Sequence, residues 1–269
     1  MTGARYLNSV YSVTESIRQA FKGAMDLILP YKCAVCGGVS DSEERFGDYN
    51  RLYGELYGED SDLHICGKCL SALNPIEESR RWFLCLSNPV ENDPCPGLPL
   101  YMPFPYRGIV EQAVPKIKFG RKNSLARFFG AILGSYAVNE GIKADLIVPV
   151  PLSEERLAER GFNQAFEIAY PVSKMAGIPL SDDCLIRTRD TGRQSEIRDI
   201  GKRAVNVRGA FEVSGAWDVT GLTVIVVDDV ATTGATLHEA AKVLYKAGAE
   251  KVLCIAFAGN RTVKNAEPF

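Results

Sequence analysis

Residues 223–236 read TVIVVDDVATTGAT, and this stretch decides the fold. Its first half is an unbroken run of β-branched residues, the pattern of a strand covered on both faces. The run ends in two adjacent aspartates, Asp228 and Asp229, and passes through the small-residue loop Ala231–Thr236. Leu237, Ala240, Ala241, Leu244 and Ala247 then recur at helical spacing, with Gly248 as the stop. In an open parallel sheet, ligands bind at the carboxyl ends of the strands. The loop offers backbone amides and the hydroxyls of Thr232, Thr233 and Thr236, and the following helix presents its positive end. Gly234 and Ala235 leave the backbone approachable. Together these are the components of a monophosphate site. The paired carboxylates suit ribose hydroxyls and, indirectly, a bound Mg²⁺. An ordinary Asp/Thr turn explains adjacent aspartates less well when TTGAT follows them. Neither GxxxxGK[ST] nor GxGxxG occurs in the chain, which argues against an NTPase or a dinucleotide enzyme.

Working outward, residues 146–150 and 252–257 read as two further buried strands. Leu125, Phe128, Phe129, Ile132, Leu133 and Tyr136 mark another helix. Strand–helix alternation implies an α/β fold, a mostly parallel sheet with helices on both faces. Pro115 and Pro171 interrupt two more helical patterns, so those helices are expected to be short or kinked. The chain has 269 residues, 46% hydrophobic and 24% charged, enough to bury a core without disulfides. With 31 basic and 33 acidic residues the net charge is −2, which excludes a surface that attracts nucleic acid all over and leaves only local basic patches. No apolar run approaches the roughly 18 residues of a membrane span. The N-terminal segment lacks the continuous apolar core of a signal peptide, so the reducing cytoplasm is the expected location.

Six of the eight cysteines (Cys33, Cys36, Cys66, Cys69, Cys85 and Cys95) lie in the first hundred residues. Cys33-x2-Cys36 and Cys66-x2-Cys69 are two chelating knuckles, and two such pairs complete a tetrahedral structural zinc site with no open position. The gap between them is longer than usual. It holds a segment, residues 41–62, with eight acidic side chains, read as a solvated insertion that lengthens the loop at little cost. His64 is an alternative ligand or an exposed loop residue, and an iron–sulfur cluster fits the donors less well than zinc. Cys85 and Cys95 have no x2 partner. Residues 12–28 carry an amphipathic helical pattern ended by Pro30. The cysteine clustering and the proline-rich stretch 94–105, read as a linker or edge segment, divide the chain into a helix and zinc-binding domain over 1–100 and an α/β domain over 101–269.

These motifs, in this order, resemble the ComF family of competence and DNA-uptake proteins. VIVVDDVATTGAT is similar to the phosphoribosyl-pyrophosphate (PRPP) motif of type I phosphoribosyltransferases. The likeness runs nearly end to end. It takes in Asp26–Pro30, both knuckles, Lys118-Phe119-Gly120, Val148-Pro149-Val150-Pro151-Leu152 and Arg160-Gly161-Phe162-Asn163-Gln164. Arg187, Gln194, Arg203, Asn206 and Phe211 complete it. The chain departs from the family at Asn88 and Leu98, where many relatives carry cysteine, which speaks against a second metal-binding pair. The resemblance implies a sheet of the type I phosphoribosyltransferase kind. It assigns Asp228 and Asp229 to the ribose hydroxyls, Ala231, Thr232, Thr233, Gly234, Ala235 and Thr236 to the 5′-phosphate, and Lys118, Phe119 and Gly120 to the diphosphate. Residues 187–211 carry seven basic against three acidic side chains, read as a mobile flap that excludes water over the diphosphate. Arg160, Gln194 and Arg203 are the candidate catalytic residues.

Three functions compete. The first is a phosphoribosyltransferase in which Mg-diphosphate leaves C1′ of PRPP. The sequence names no acceptor, and the Met1-Thr2-Gly3 start, without an N-terminal cysteine nucleophile, is not that expected of a complete glutamine PRPP amidotransferase. The second is a single-stranded-DNA-binding protein of the uptake machinery, working beside other DNA-uptake proteins. In that reading Phe104, Tyr106 and Phe162, near Arg107 and Arg160, are candidates to stack bases. The third is a PRPP sensor without turnover.

Overall fold

The computed structural model describes residues 32–39, 56–57, 63, 65–73, 82–84, 98–120, 123–189 and 207–259. The expected helix over 12–28, most of the acidic insertion, His64, Cys85, Cys95 and the middle of the basic flap lie outside them.

In chain order the described elements begin with α1 (Gly67–Ser71), then β1 (Trp82–Leu84), β2 (Leu98–Tyr101), β3 (Phe104–Pro105) and α2 (Ile109–Phe119). There follow α3 (Asn123–Asn139), β4 (Leu146–Pro149), α4 (Glu154–Arg160), α5 (Gln164–Ala176), β5 (Leu185–Arg187) and β6 (Phe211–Val213). The chain closes with β7 (Thr223–Ala231), α6 (Ala235–Lys246) and β8 (Lys251–Gly259). The main sheet has the order β1-β2-β8-β7-β4, with β3 also on β8, and all its pairs are parallel except β1–β2. The three strands expected from the sequence are therefore neighbours, β8-β7-β4, with β4 at one end of that order. β5 and β6 form a separate antiparallel pair.

Alternation along β7 shows why the strands read as continuous apolar runs. Ile225 and Val227 face one core with Leu253, Ile255 and Phe257, beneath α2, α3 and α5. Val224 and Val226 face the other with Cys254, beneath Leu237, Ala240, Ala241 and Leu244 of α6. With both faces covered, polar alternation has no place.

One expectation is corrected. The proline-rich stretch is not a linker at Leu98–Tyr101, which is β2, flanked by β1 and β8. Pro99 stands opposite Phe83 of the short β1, while the register with β8 takes in Leu100 and Tyr101, a place beside a short outer strand where proline is tolerated. The helices with Pro115 and Pro171 run through those residues, over 11 residues in α2 and 13 in α5. Pro171 is held by packing. It is buried, and a Cβ placed on Gly130 of α3 would meet Ile168 O at 2.6 Å and Pro171 Cγ at 2.9 Å.

Gly130 and Gly134 thus let α3 and α5 approach backbone to side chain, with Met175 Sδ 2.7 Å from where a Gly134 Cβ would stand. Gly130→Ala must push α5 away or strain it. It is expected to lower stability by about 1–3 kcal/mol, read as a drop in the urea midpoint with the slope unchanged.

Candidate functional site

The two knuckles are built differently. The first is a tight hairpin. Cys33 N donates to Gly38 O at 2.8 Å, Gly37 N returns to Cys33 O at 2.9 Å, and Gly37 takes φ +76°, where glycine costs least. The second places Cys66 at the N-cap of α1 and Cys69 one turn in. The four sulfurs lie within 4.8 Å of one another, with Cys36 and Cys66 Sγ 3.8 Å apart. Tetrahedral bonds of about 2.3 Å separate sulfurs by close to that distance. Amides point at the sulfurs, Cys66 N at Cys33 Sγ (3.3 Å) and Gly38 N at Cys36 Sγ (3.4 Å). Burial pushes the Cys33 thiol up, but the amides of Cys36, Cys66 and Val35 outweigh it and bring it down to about 6. Burial pushes Cys66 and Cys69 up. An all-thiol, largely buried set with amide donors fits zinc, which takes the sulfurs as thiolates.

The second feature is a cavity of about 460 Å³ at the carboxyl ends of β4 and β7. Its floor is the end of β7. Asp229 N donates to Asp228 Oδ1 and Val230 N to Asp229 Oδ1, both at 2.8 Å, so each carboxylate is oriented by the next amide. Lys118 Nζ, from the last turn of α2, stands 2.7 Å from Asp229 Oδ2. Burial and then the neighbouring Asp229 carboxylate push Asp228 up to about 7. The chain leaves β7 through Thr232 and Thr233 to Gly234, which caps α6 at φ +74°. That left-handed turn is the physical need for glycine there, beyond the open approach read from the sequence.

A wall of the cavity comes from the segment after β4. Ser153 opens α4, and Gly161 ends it at φ +82°. Asn163 then caps α5 by accepting from Ala165 N at 3.0 Å, while its Nδ2 holds Val150 O at 3.0 Å. Asn163→Ala is expected to cost about 1 kcal/mol for the cap alone, seen as a lower thermal midpoint. Arg160 Nη1 donates to Gln164 Oε1 at 2.6 Å, its Cζ stands 6.0 Å from the Phe119 ring centroid, and its Nε is buried without a partner. Burial lowers the Arg160 guanidinium from its ordinary value, and the nearby Asp229 and Asp228 carboxylates act against that.

Most of the residues singled out from the sequence meet here. Lys118, Phe119, Arg160, Asp228, Asp229, Ala231, Thr232, Thr233, Gly234, Ala235 and Thr236 all line the one cavity. Gly120 caps α2 just outside the lining. Gln194 and Arg203 lie outside the described residues. Of the basic flap, Arg187 reaches the cavity from β5. Sequence reasoning did not single out Arg156 and Glu159, which also line it. Both sit in the charged run Glu154–Arg160, which looks like any solvated helix face. Phe162, weighed as a base-stacking aromatic, instead packs half-buried against the core.

The phosphoribosyl transferase domain family matches residues 162–267. The chain is 31% identical over 173 residues to the DNA utilization protein YhgH of Escherichia coli K12, spanning 59% of this chain and 74% of that one. The chain belongs to the ComF family. Its other relatives include competence protein F of Haemophilus influenzae, 34% identical over 40% of this chain and 47% of that protein. Competence protein ComFC of Bacillus subtilis is 27% identical over 54% and 57%. The Salmonella typhimurium YhgH is matched over 62% of its own length. Among solved structures, the B. subtilis glutamine PRPP amidotransferase complexed with ADP and GMP aligns with 56% of this chain and 28% of its own, at 24% identity and a TM-score of 0.34. Within this ComF chain the mostly parallel sheet is of the type I phosphoribosyltransferase kind, and a four-cysteine cluster precedes it. No helix among the described residues is long and apolar enough to cross a membrane.

Proposed function

We propose that this ComF chain binds PRPP with Mg²⁺ in the cavity and transfers or releases the phosphoribosyl group. The observation that carries the reading is the contact between Lys118 and Asp229. The family likeness assigns the two segments to the diphosphate and the ribose of one ligand, and they touch across one cavity. Asp228 and Asp229 hold the ribose hydroxyls, and Ala231–Thr236 take the 5′-phosphate at the start of α6, where the helix presents its positive end. Lys118, Phe119 and Gly120 meet the diphosphate. Mg²⁺ neutralises charge on the departing diphosphate when bound; the paired carboxylates fit it indirectly, through the ribose they hold. The C1′–oxygen bond breaks with its electron pair leaving on diphosphate, and the acceptor or water forms the new bond to C1′. Arg160, with Gln194 and Arg203 of the flap, supplies cationic and polar groups around that departure. The four cysteines hold a structural zinc, and the location is cytoplasmic.

Calorimetry with Mg-PRPP tests the reading, together with a pyrophosphate-release assay. Binding with release supports the transferase. Binding without release under any nucleophile leaves a sensor, and no binding overturns the proposal.

A second reading, single-stranded DNA as partner, is favoured by the relatives' names and by Phe119, 60% exposed beside Arg160 at the cavity. If five basic groups of the flap and α2 end meet phosphates, log K against log salt should fall with a slope of about −3.5. PRPP should compete. Tight DNA binding that ignores PRPP would move the DNA site to the cysteine unit, and no mobility shift at low salt would end this reading.

A further inference from the structure

Helix α2 has three sides, and each meets something different. Val110, Ala113, Val114 and Ile117 are buried in the core that also holds Cys33, Ala34, Val35, Ile65, Cys66 and Cys69. Lys118 leaves its last turn to pair with Asp229 in the cavity. Lys116 leaves the helix about 160° around from Lys118, and its Nζ donates to the carbonyl oxygen of Val35. Val35 lies inside the first knuckle, between Cys33 and Cys36, and is 2% exposed. The end of α2 is therefore gripped from opposite sides, by the cysteine knuckle through Lys116 and by the strand end of the cavity through Lys118.

We propose that Lys116 is a positioning residue that ties the cysteine knuckle to the cavity, so that metal at the four cysteines and a phosphorylated ligand at Lys118 and Asp229 each strengthen the other's binding. The inference rests on reading the cavity as a Mg-PRPP site. The Val35 carbonyl is set by the turn between two metal ligands, so its position depends on whether the sulfurs are drawn onto one ion. A helix moves as a unit over two residues, so a shift at Lys116 is a shift at Lys118, Phe119 and Gly120. A disordered knuckle leaves Lys116 without its acceptor, and Lys118 must then be ordered by the ligand at a cost in affinity.

Linkage makes the effect reciprocal: the factor by which zinc tightens PRPP binding must equal the factor by which PRPP tightens zinc binding. The experiment uses the full chain. Mg-PRPP affinity is measured by calorimetry on zinc-loaded and zinc-free protein, and zinc affinity by chelator competition with and without saturating Mg-PRPP. The expected result is the same factor both ways, about fivefold or more. Lys116→Met, which keeps the aliphatic stem but donates nothing, should still bind both partners with the factor reduced to about one. Lys116→Arg, which can still donate to a carbonyl, should restore it. A purely structural role would lower the thermal midpoint without removing this linkage. Wild-type protein that binds PRPP equally well with and without zinc overturns the inference and leaves the PRPP reading intact. A Lys116→Met chain that keeps the full factor overturns it too. Failure to bind PRPP at either zinc load overturns both. The wild-type comparison needs no variant, so poor folding of Lys116→Met would not remove the test.

Discussion

Stripping zinc from the metal-loaded chain, or replacing one ligand by Cys66→Ser, is expected to lower the thermal midpoint by about 10 °C or more. Zinc binding to small four-ligand units contributes about 10–16 kcal/mol, and each kcal/mol moves the midpoint of a domain this size by about 2–4 °C. Even a fraction of that energy, after the reduced thiols find other partners, exceeds any single side-chain effect in the molecule. The division at residue 100 read from the cysteine clustering predicts that residues up to about 100 unfold by themselves while the sheet survives. The packing argues for a shared loss. Cys33, Val35, Ile65 and Cys69 belong to the same apolar cluster as Ile117, Phe128, Ile225 and Phe257. Removing the ion therefore loosens α2 and one face of the sheet together. A single transition shifted downward, followed by calorimetry and far-ultraviolet dichroism, is the expected outcome. Two separate transitions, the upper one unmoved, would show that the division near residue 100 is an energetic boundary. Elemental analysis finding no zinc in freshly reduced protein would remove the premise.

How much of this was legible in the sequence depended on how local each signal is. The β7–turn–α6 unit is contiguous, and its hydrophobic run, paired aspartates and small-residue loop were all readable in one window. The knuckles were readable because two-residue spacing is a property of the chain itself. What the sequence hid was long-range contact. Nothing in Lys116-Ile117-Lys118 says that one lysine reaches a knuckle carbonyl and the other an aspartate on the far side of the helix, since both look like a basic helix end. The surroundings of two prolines were hidden for the same reason. Pro99 in β2 and Pro171 in α5 are tolerated by neighbours distant in sequence, the short β1 and the glycine face of α3. Asn163, quoted within a family motif, proves to be a cap and a tether to β4.

Replacing both floor carboxylates by amides, Asp228→Asn with Asp229→Asn, should abolish Mg-PRPP binding and remove the pH dependence that Asp228 gives the stability of the empty protein. Each charged hydrogen bond to a ribose hydroxyl contributes about 1.5–3 kcal/mol, so losing two weakens binding by a factor of at least about one hundred. The local backbone should survive. The side-chain oxygens of Asp228 and Asp229 accept from the amides of Asp229 and Val230, and an asparagine oxygen can accept the same bonds. The pH dependence follows from Asp228, whose carboxyl is raised to about 7 by burial and by Asp229. The folded state then holds a proton that the unfolded chain has released, so this group's stabilisation is fully present below about pH 4 and is lost as pH rises to 7. The amides remove this titration, and with it the Asp229–Lys118 pair. The ligand prefers the opposite ionisation, because a deprotonated Asp228 is the better acceptor. Wild-type affinity for Mg-PRPP should therefore climb between pH 6 and 8 while the contribution of this group to folding falls, and the double variant should show neither trend. Calorimetric titrations and thermal melts at pH 6, 7 and 8 measure both. A double variant that binds Mg-PRPP as tightly as wild type would remove these two carboxylates from the ligand site.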